Sequence, residues 1–152
     1  MQERNAPETT AARTLLGYWQ QVRGIRQMPA RSDIDPNELQ GVLRNLQLFE
    51  VISGGERFFG RHSGEAARET LGFDPTGQFL DETPVGRERE RATEALQKVV
   101  STGAPTFTIR DVGLASGRRA RCEDVLLPLS QDGKLVNMVL WGAFVLQGMD
   151  AN

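Results

Sequence analysis

Leu15, Tyr18, Trp19 and Val22 recur at i, i+3, i+4 and i+7, which predicts an amphipathic helix of about four turns. Leu39, Val42, Leu43 and Leu46 repeat the spacing and predict a second helix. The strap between them runs Met28-Pro29-Ala30-Arg31-Ser32-Asp33-Ile34-Asp35-Pro36. Asp35 can cap the second helix, Pro36 suits its first position, and Glu38 completes a capping box. Pro29 and Pro36 hold their preceding residues extended, so the strap is stiff. Arg31 is expected to form a local ion pair with Asp33 and Asp35.

From Leu46 the period changes to that of a strand. Leu48–Ile52, a Gly54-Gly55 turn and Arg57–Arg61 predict a β-hairpin. A short helix follows over Glu65–Leu71 and stops at Gly72, before the Asp74-Pro75-Thr76-Gly77 turn. Gly86–Ser101 predicts a longer helix with Ala92, Ala95, Leu96 and Val99 on one face. Its Arg87-Glu88-Arg89-Glu90-Arg91 run reads as a solvated, ion-paired surface. Three strands close the chain: Thr106–Val112, Arg118–Leu129 and Lys134–Leu146. In the first, Phe107 and Ile109 are expected to point inward, against Thr108 and Arg110. The last is apolar at both parities, which places it centrally in a sheet covered on both faces. The internal helices cover one face, and the Leu15/Tyr18/Trp19/Val22 helix covers the other, alone or shared with a partner chain.

Length and composition bound the class. The chain has 152 residues, 39% hydrophobic and 25% charged, enough for one globular domain with a real core. A net charge of -2 argues against a nucleic-acid footprint, and no apolar run reaches membrane-span length. The single Cys122 and single His62 build neither an internal disulfide nor a zinc site, so no metal or cofactor is identifiable. A cytoplasmic location is expected. Dinucleotide loops, Walker lysines, zinc-protease motifs and nucleophile elbows are missing, which argues against an enzyme.

The expected organisation is a disordered tail over 1–8, an N-terminal helix and strap over 9–30, the main domain over 31–147 and a tail over 148–152. The fold class is α+β, a five-stranded antiparallel sheet with helices on one face and the N-terminal helix on the other.

Specific residues carry a resemblance: Tyr18-Trp19 with Arg23-Gly24, Met28-Pro29-Ala30-Arg31 through Asp35-Pro36, and Arg61 three positions before Gly64. It continues through Gly72, Thr76-Gly77 and the Leu127-Pro128-Leu129-Ser130 to Asp132-Gly133 turn. On these residues the chain resembles a bacterial family of short, single-domain PAS-like proteins, mostly alphaproteobacterial, over nearly the whole span from Leu15 to Leu146. It departs from that family at Arg44, where a proline is usual, at His62-Ser63, which replace an apolar pair, and at Glu65, usually a small hydroxyl residue. The resemblance implies a PAS-like fold and a sensory or interaction role in signal transduction, with no common chemistry.

Candidate ligand-binding residues on such a fold are Arg61, His62, Phe73, Leu96, Phe107, Cys122, Asn137 and Trp141. Arg61 can reach into the cavity and hold a carboxylate or phosphate, or form a structural pair with Asp81 or Glu82. His62 alternates to the opposite face in a regular strand. Cys122 lies in a strand, not in the Asn-Cys-Arg helix start of flavin photosensors, and reads as a small buried residue. Asn137 interrupts the last strand and shares its parity with Trp141. Leu15, Tyr18, Trp19 and Val22 are the candidate docking or dimer residues. Pro29, Arg31, Asp35, Pro36, Gly64, Gly72, Thr76 and Gly77 are structural. The functional expectation is a non-catalytic module that binds a small molecule, a signalling partner such as a histidine kinase or regulator, or a second copy as a homodimer. A ligand-free adaptor and a small enzyme centred on Arg61 and His62 are the alternatives.

Overall fold

The structure is a computed structural model that describes residues 2–149, with side chains to 146. One antiparallel sheet organises it. Its strands are β1 (Gln2–Arg4), β2 (Leu46–Ile52), β3 (Arg57–Ser63), β4 (Thr106–Gly113), β5 (Arg119–Leu129) and β6 (Met138–Met149). They lie in the order β1-β4-β5-β6-β2-β3, so the last strand is central, between β5 and β2. The helices are α1 (Thr10–Arg23), α2 (Glu65–Leu71) and α3 (Arg87–Thr102).

Two cores flank the sheet. On the inner face, Ala67 and Leu71 of α2 and Ala92, Leu96 and Val99 of α3 pack on Phe49, Cys122, Leu126, Val139 and Trp141. On the outer face, Leu15 and Trp19 of α1 pack with Met28, Ile34 and Leu39 of the strap on Leu48, Val125, Leu127, Leu140 and Phe144. The apolar double parity of β6 has this cause: Val139 and Trp141 belong to one core, Leu140 and Phe144 to the other. Leu15 and Trp19 are therefore buried within the chain itself, and α1 covers the sheet in cis.

Glu123 positions α1. This fully buried carboxylate accepts hydrogen bonds from the Glu8 and Thr9 amides and from Thr9 Oγ1 (2.7 Å), while Thr9 Oγ1 caps the helix at the Ala12 amide. A carboxylate on the first amides of a helix also matches the positive end of its dipole. At the other end, Trp19 Nε1 donates to the Pro128 carbonyl (2.9 Å). Pro128 is tolerated inside β5 because the β4 ladder stops at the Thr106–Leu126 pair, where no neighbour on that side asks for its missing amide.

Several expectations are corrected. The polar tail over 1–8 is not frayed at Gln2–Arg4, which pair with Phe107–Ile109 as a sixth, edge strand. The second helix does not form. Pro36–Leu39 and Leu43–Asn45 are separate 3₁₀ turns, and Leu46 already belongs to β2. Leu39, ending the first turn, and Leu46, opening β2, are both buried in the outer core. Asp35 does cap, accepting from the Asn37 amide (3.0 Å). The strap's ion pair is Arg26 with Asp33 (2.9 Å), and Asp33 also accepts from the Ala30 amide, which holds its carboxyl below the usual range. Arg31 instead donates to the Ile34 carbonyl. Strand β6 starts at Met138 rather than Lys134 and runs on to Met149, inside the expected tail. Residues 150–152 of that tail lie outside the described residues.

Two glycines are required by close approach. A Cβ on Gly64 would lie 2.4 Å from the Arg44 carbonyl oxygen, and one on Gly60 would lie 2.0 Å from that of Pro75. The first tightens the start of α2 against β2, with the Gly64 amide bonded to Leu46. The second lets the Pro75-Thr76-Gly77 turn cross the edge of β3, where Thr76 bridges Gly60.

Candidate functional site

The space between the sheet and the α2/α3 layer is closed by an ion-pair network. Arg110 of β4 is 4% exposed and Asp124 of β5 is 2% exposed. The guanidinium grips Asp124 through Nε and Nη2, reaches Glu88 on the first turn of α3 (2.9 Å) and donates to the Thr70 carbonyl at the end of α2 (3.1 Å). Trp141 Nε1 donates to the same Asp124 carboxylate (2.9 Å). Burial alone would lower the Arg110 pKa, but Asp124 and Glu88 outweigh it and hold it above its ordinary value. Cys122 sits against Asp124 and Arg110, fully buried, and desolvation followed by the Asp124 charge pushes its thiol up. It is a neutral thiol at pH 7, not a nucleophile. The cavity left here is about 10 Å³, lined by Leu71, Glu88, Ala92, Arg110, Asp124 and Trp141 among others. That is about one water's worth of space at most.

The candidate residues do not converge on it. Leu96, Cys122 and Trp141 are core residues of the inner face, with Phe73 packed at its margin. Phe107 packs on the outer core. Arg61 points away from the inner cavity. It pairs with Glu50 (2.7 Å) and stacks on Phe59, while Asp81 and Glu82 pair with Arg57 instead. The expected alternation of Arg61 and His62 fails because the register slips between Leu48 and Phe49, leaving Arg61 as an extra residue between His62 and Gly60. A bulge of this kind breaks strand parity. His62 stands opposite Leu48 on the outer face. Asn137 precedes β6 and lines a surface recess beside Gly54, Gly55 and Lys134, away from Trp141.

Sequence reasoning turned Arg110 and Thr108 toward solvent, whereas both face α3 and are buried. The signal that could have corrected this is the Glu123-Asp124 doublet that runs straight into the apolar 125–129 stretch of an interior strand. Two adjacent carboxylates there must point to opposite faces, and each buried one requires a donor. Glu123 finds α1 and Asp124 finds Arg110.

On the outer face the strap leaves an apolar cleft of about 280 Å³. Ile34, Leu39, Leu43, Leu46, Leu48, Leu129 and Leu140 form its walls, and Arg31, Pro36 and His62 complete it.

A meander of antiparallel strands with the C-terminal strand central, helices crossing one face and an N-terminal helix on the other, is the architecture of a PAS domain. The chain belongs to the PAS domain family, whose model matches residues 8–144. Among solved structures, the PAS domain of Bordetella pertussis BvgS is similar at 20% identity, covering 75% of this chain and 88% of that one with a TM-score of 0.50. Vibrio cholerae VqmA is similar at 11% identity and a TM-score of 0.52, over 75% of this chain and 52% of that one. The chain thus spans about half the length of VqmA. The PAS domain of the fruit-fly ELK potassium channel is similar at 12% identity, covering 73% of this chain and 93% of that one with a TM-score of 0.50. At these identities the likeness is one of fold. No curated protein sequence matches the chain significantly.

Proposed function

We propose that this PAS domain is a non-catalytic interaction module of signal transduction whose inner cavity is closed by its own side chains. It works in the cytoplasm through a protein partner, a second copy or a signalling protein such as a histidine kinase. The observation that carries this reading is the Arg110–Asp124–Glu88 network with Trp141 and Thr70, which occupies the inner face and leaves about 10 Å³. A sensor that admits a ligand there would have to expel a buried ion pair, a cost of several kcal/mol by general precedent. The same network joins α2, α3 and the sheet, so a partner that shifts α3 changes the balance of two packings. The free, buried Cys122 fits a reducing compartment.

Native mass spectrometry of protein purified without refolding, beside an absorption spectrum and analytical ultracentrifugation, tests the proposal. The bare chain mass in every oligomer, with no visible absorption, is the expected result. A co-purifying small molecule whose retention is lost in Ala92→Leu, on the inner face, would overturn it.

A further inference from the structure

The outer cleft has the makings of a ligand site that the inner face lacks. Its walls are aliphatic and rigid: Leu129 is fully buried and Leu39, Leu46 and Leu140 nearly so. They come from five segments that other contacts already hold in place. The strap is tied to the sheet by the Ser130 amide on the Pro29 carbonyl (2.8 Å) and to the end of α1 by the Asp33–Arg26 pair, since Arg26 donates to the Val22 and Arg23 carbonyls. Tyr18 of α1 braces it from the other side, its hydroxyl accepting from the Asp35 amide (2.7 Å). The cleft is therefore framed on both sides.

Charge then chooses the ligand. Among the ten lining residues the titratable ones are Arg31 and His62, both basic, and none is acidic. Arg31 has one donor engaged, on the Ile34 carbonyl (3.2 Å), and no carboxylate partner among the described residues. The His62 side chain makes no hydrogen bond or ion pair among the described residues, although its backbone belongs to the β2–β3 ladder. Asp74, the carboxylate whose charge reaches it, is already engaged by the Thr76 amide (3.0 Å). An apolar hollow with the Arg31 guanidinium and the His62 imidazole at its rim fits a small amphipathic anion. At interior packing density, about 280 Å³ fills with roughly ten to twelve non-hydrogen atoms.

We infer that the strap cleft binds a medium-chain carboxylate, its hydrocarbon against Leu39, Leu43, Leu48 and Leu140 and its carboxylate at Arg31 and His62. The ligand would lie on the face opposite the closed inner cavity. It would bridge the strap to β2, β3 and β6, and so couple occupancy to the seating of α1 through Tyr18. The inference is independent of the partner-binding proposal, since the inner face stays closed whether or not the cleft is filled.

Calorimetric titration with octanoate and with octan-1-ol, both below micellar concentrations, is the test. Octanoate should bind one per chain with Kd in the range of about 10 µM to 1 mM, the ordinary efficiency of a ligand of this size. The alcohol should bind roughly three- to fivefold more weakly, the factor an exposed charge pair contributes. The double variant Arg31→Gln/His62→Gln should erase that preference and leave the alcohol unaffected. Leu43→Trp, which fills the cleft from its half-buried margin, should weaken both by more than about tenfold, as loss of the aliphatic contacts requires. Methyl NMR reads the same question without a variant: octanoate should shift Leu39, Leu43, Leu48 and Leu140 and spare Leu71 and Leu96. No saturable heat, equal affinity for acid and alcohol, or shifts at the inner-face methyls would each overturn the inference. So would a concentration-dependent dimer that Leu43→Trp dissociates, since a second copy would then be the occupant.

Discussion

Replacing Arg110 by methionine tests how the inner face is closed. The guanidinium and its partner Asp124 are both almost wholly buried, and the pair is joined to Glu88, Thr70 and Trp141. Arg110→Met leaves the Asp124 carboxylate in the core with only the Trp141 indole and the Cys122 thiol as side-chain donors. Stranding a buried charge in this way costs about 3–5 kcal/mol, a large share of a total stability of about 5–15 kcal/mol. Asp124→Asn keeps the shape but leaves Arg110 with Glu88, at the solvent margin, as its one carboxylate beside the Thr70 carbonyl; about 3 kcal/mol is expected, the lower end of the same range. The double variant Arg110→Met/Asp124→Asn carries neither charge, while its amide oxygen can still accept from Trp141. It should fall within about 2 kcal/mol of the parent, because a buried pair barely repays its own desolvation. From these costs the cycle yields a coupling of at least about 4 kcal/mol. Urea unfolding followed by tryptophan fluorescence at pH 7, at low and high salt, supplies all four stabilities. Salt should change the coupling little, since mobile ions screen buried pairs weakly. A cost below about 1 kcal/mol for Arg110→Met, or single costs that simply add, would refute the account.

Three further outcomes follow from the contacts. Glu123→Ala removes the acceptor for the Glu8 and Thr9 amides and the Thr9 hydroxyl, and should cost about 2–4 kcal/mol; hydrogen exchange should quicken in α1 far more than in α3, and a uniform change would contradict the anchoring role. Gly64→Ala drives a methyl into the Arg44 carbonyl and should cost about 1–3 kcal/mol by overpacking, read as a lowered urea midpoint; an unchanged midpoint would mean that the β2–α2 junction relaxes freely. Asp132 accepts from the Leu135 and Lys134 amides and the Ser130 hydroxyl, which holds its carboxyl below the usual 3.8. A depressed folded pKa stabilises above the unfolded value and loses that contribution as pH falls through the lowered one, so Asp132→Asn should flatten the acid limb below about pH 4. Urea midpoints between pH 2 and 6 that stay parallel in the two proteins would count against it.

Much of the architecture was legible from local signals. Element type followed periodicity wherever one face was consistently apolar, as in α1, α3 and the β2–β3 hairpin. The cap at Asp35 and the stop at Gly72 are backbone preferences that act within a few residues. The double parity of β6 announced a sheet covered on both faces, and the apolar stripe of α1 supplied the cover. The second helix was misread because Leu39, Val42, Leu43 and Leu46 have helical spacing by coincidence. All four reach the outer core, but two separate 3₁₀ turns and the start of β2 deliver them there.

The candidate site was much less legible. Arg110 looked solvent-facing because alternation cannot say which face of a twice-covered strand is wet. Arg61 and His62 looked opposed because one extra residue at the bulge is invisible in composition. Spacing along the chain determined where helices and strands begin, and which stripes had to be buried. Which charge meets which was decided only when Asp124 and Arg110, fourteen residues apart, were brought side by side by the β4–β5 register. Long-range pairing sets the solvent exposure of a charge, and solvent exposure decides whether it is a surface group, a structural pair or the rim of a site.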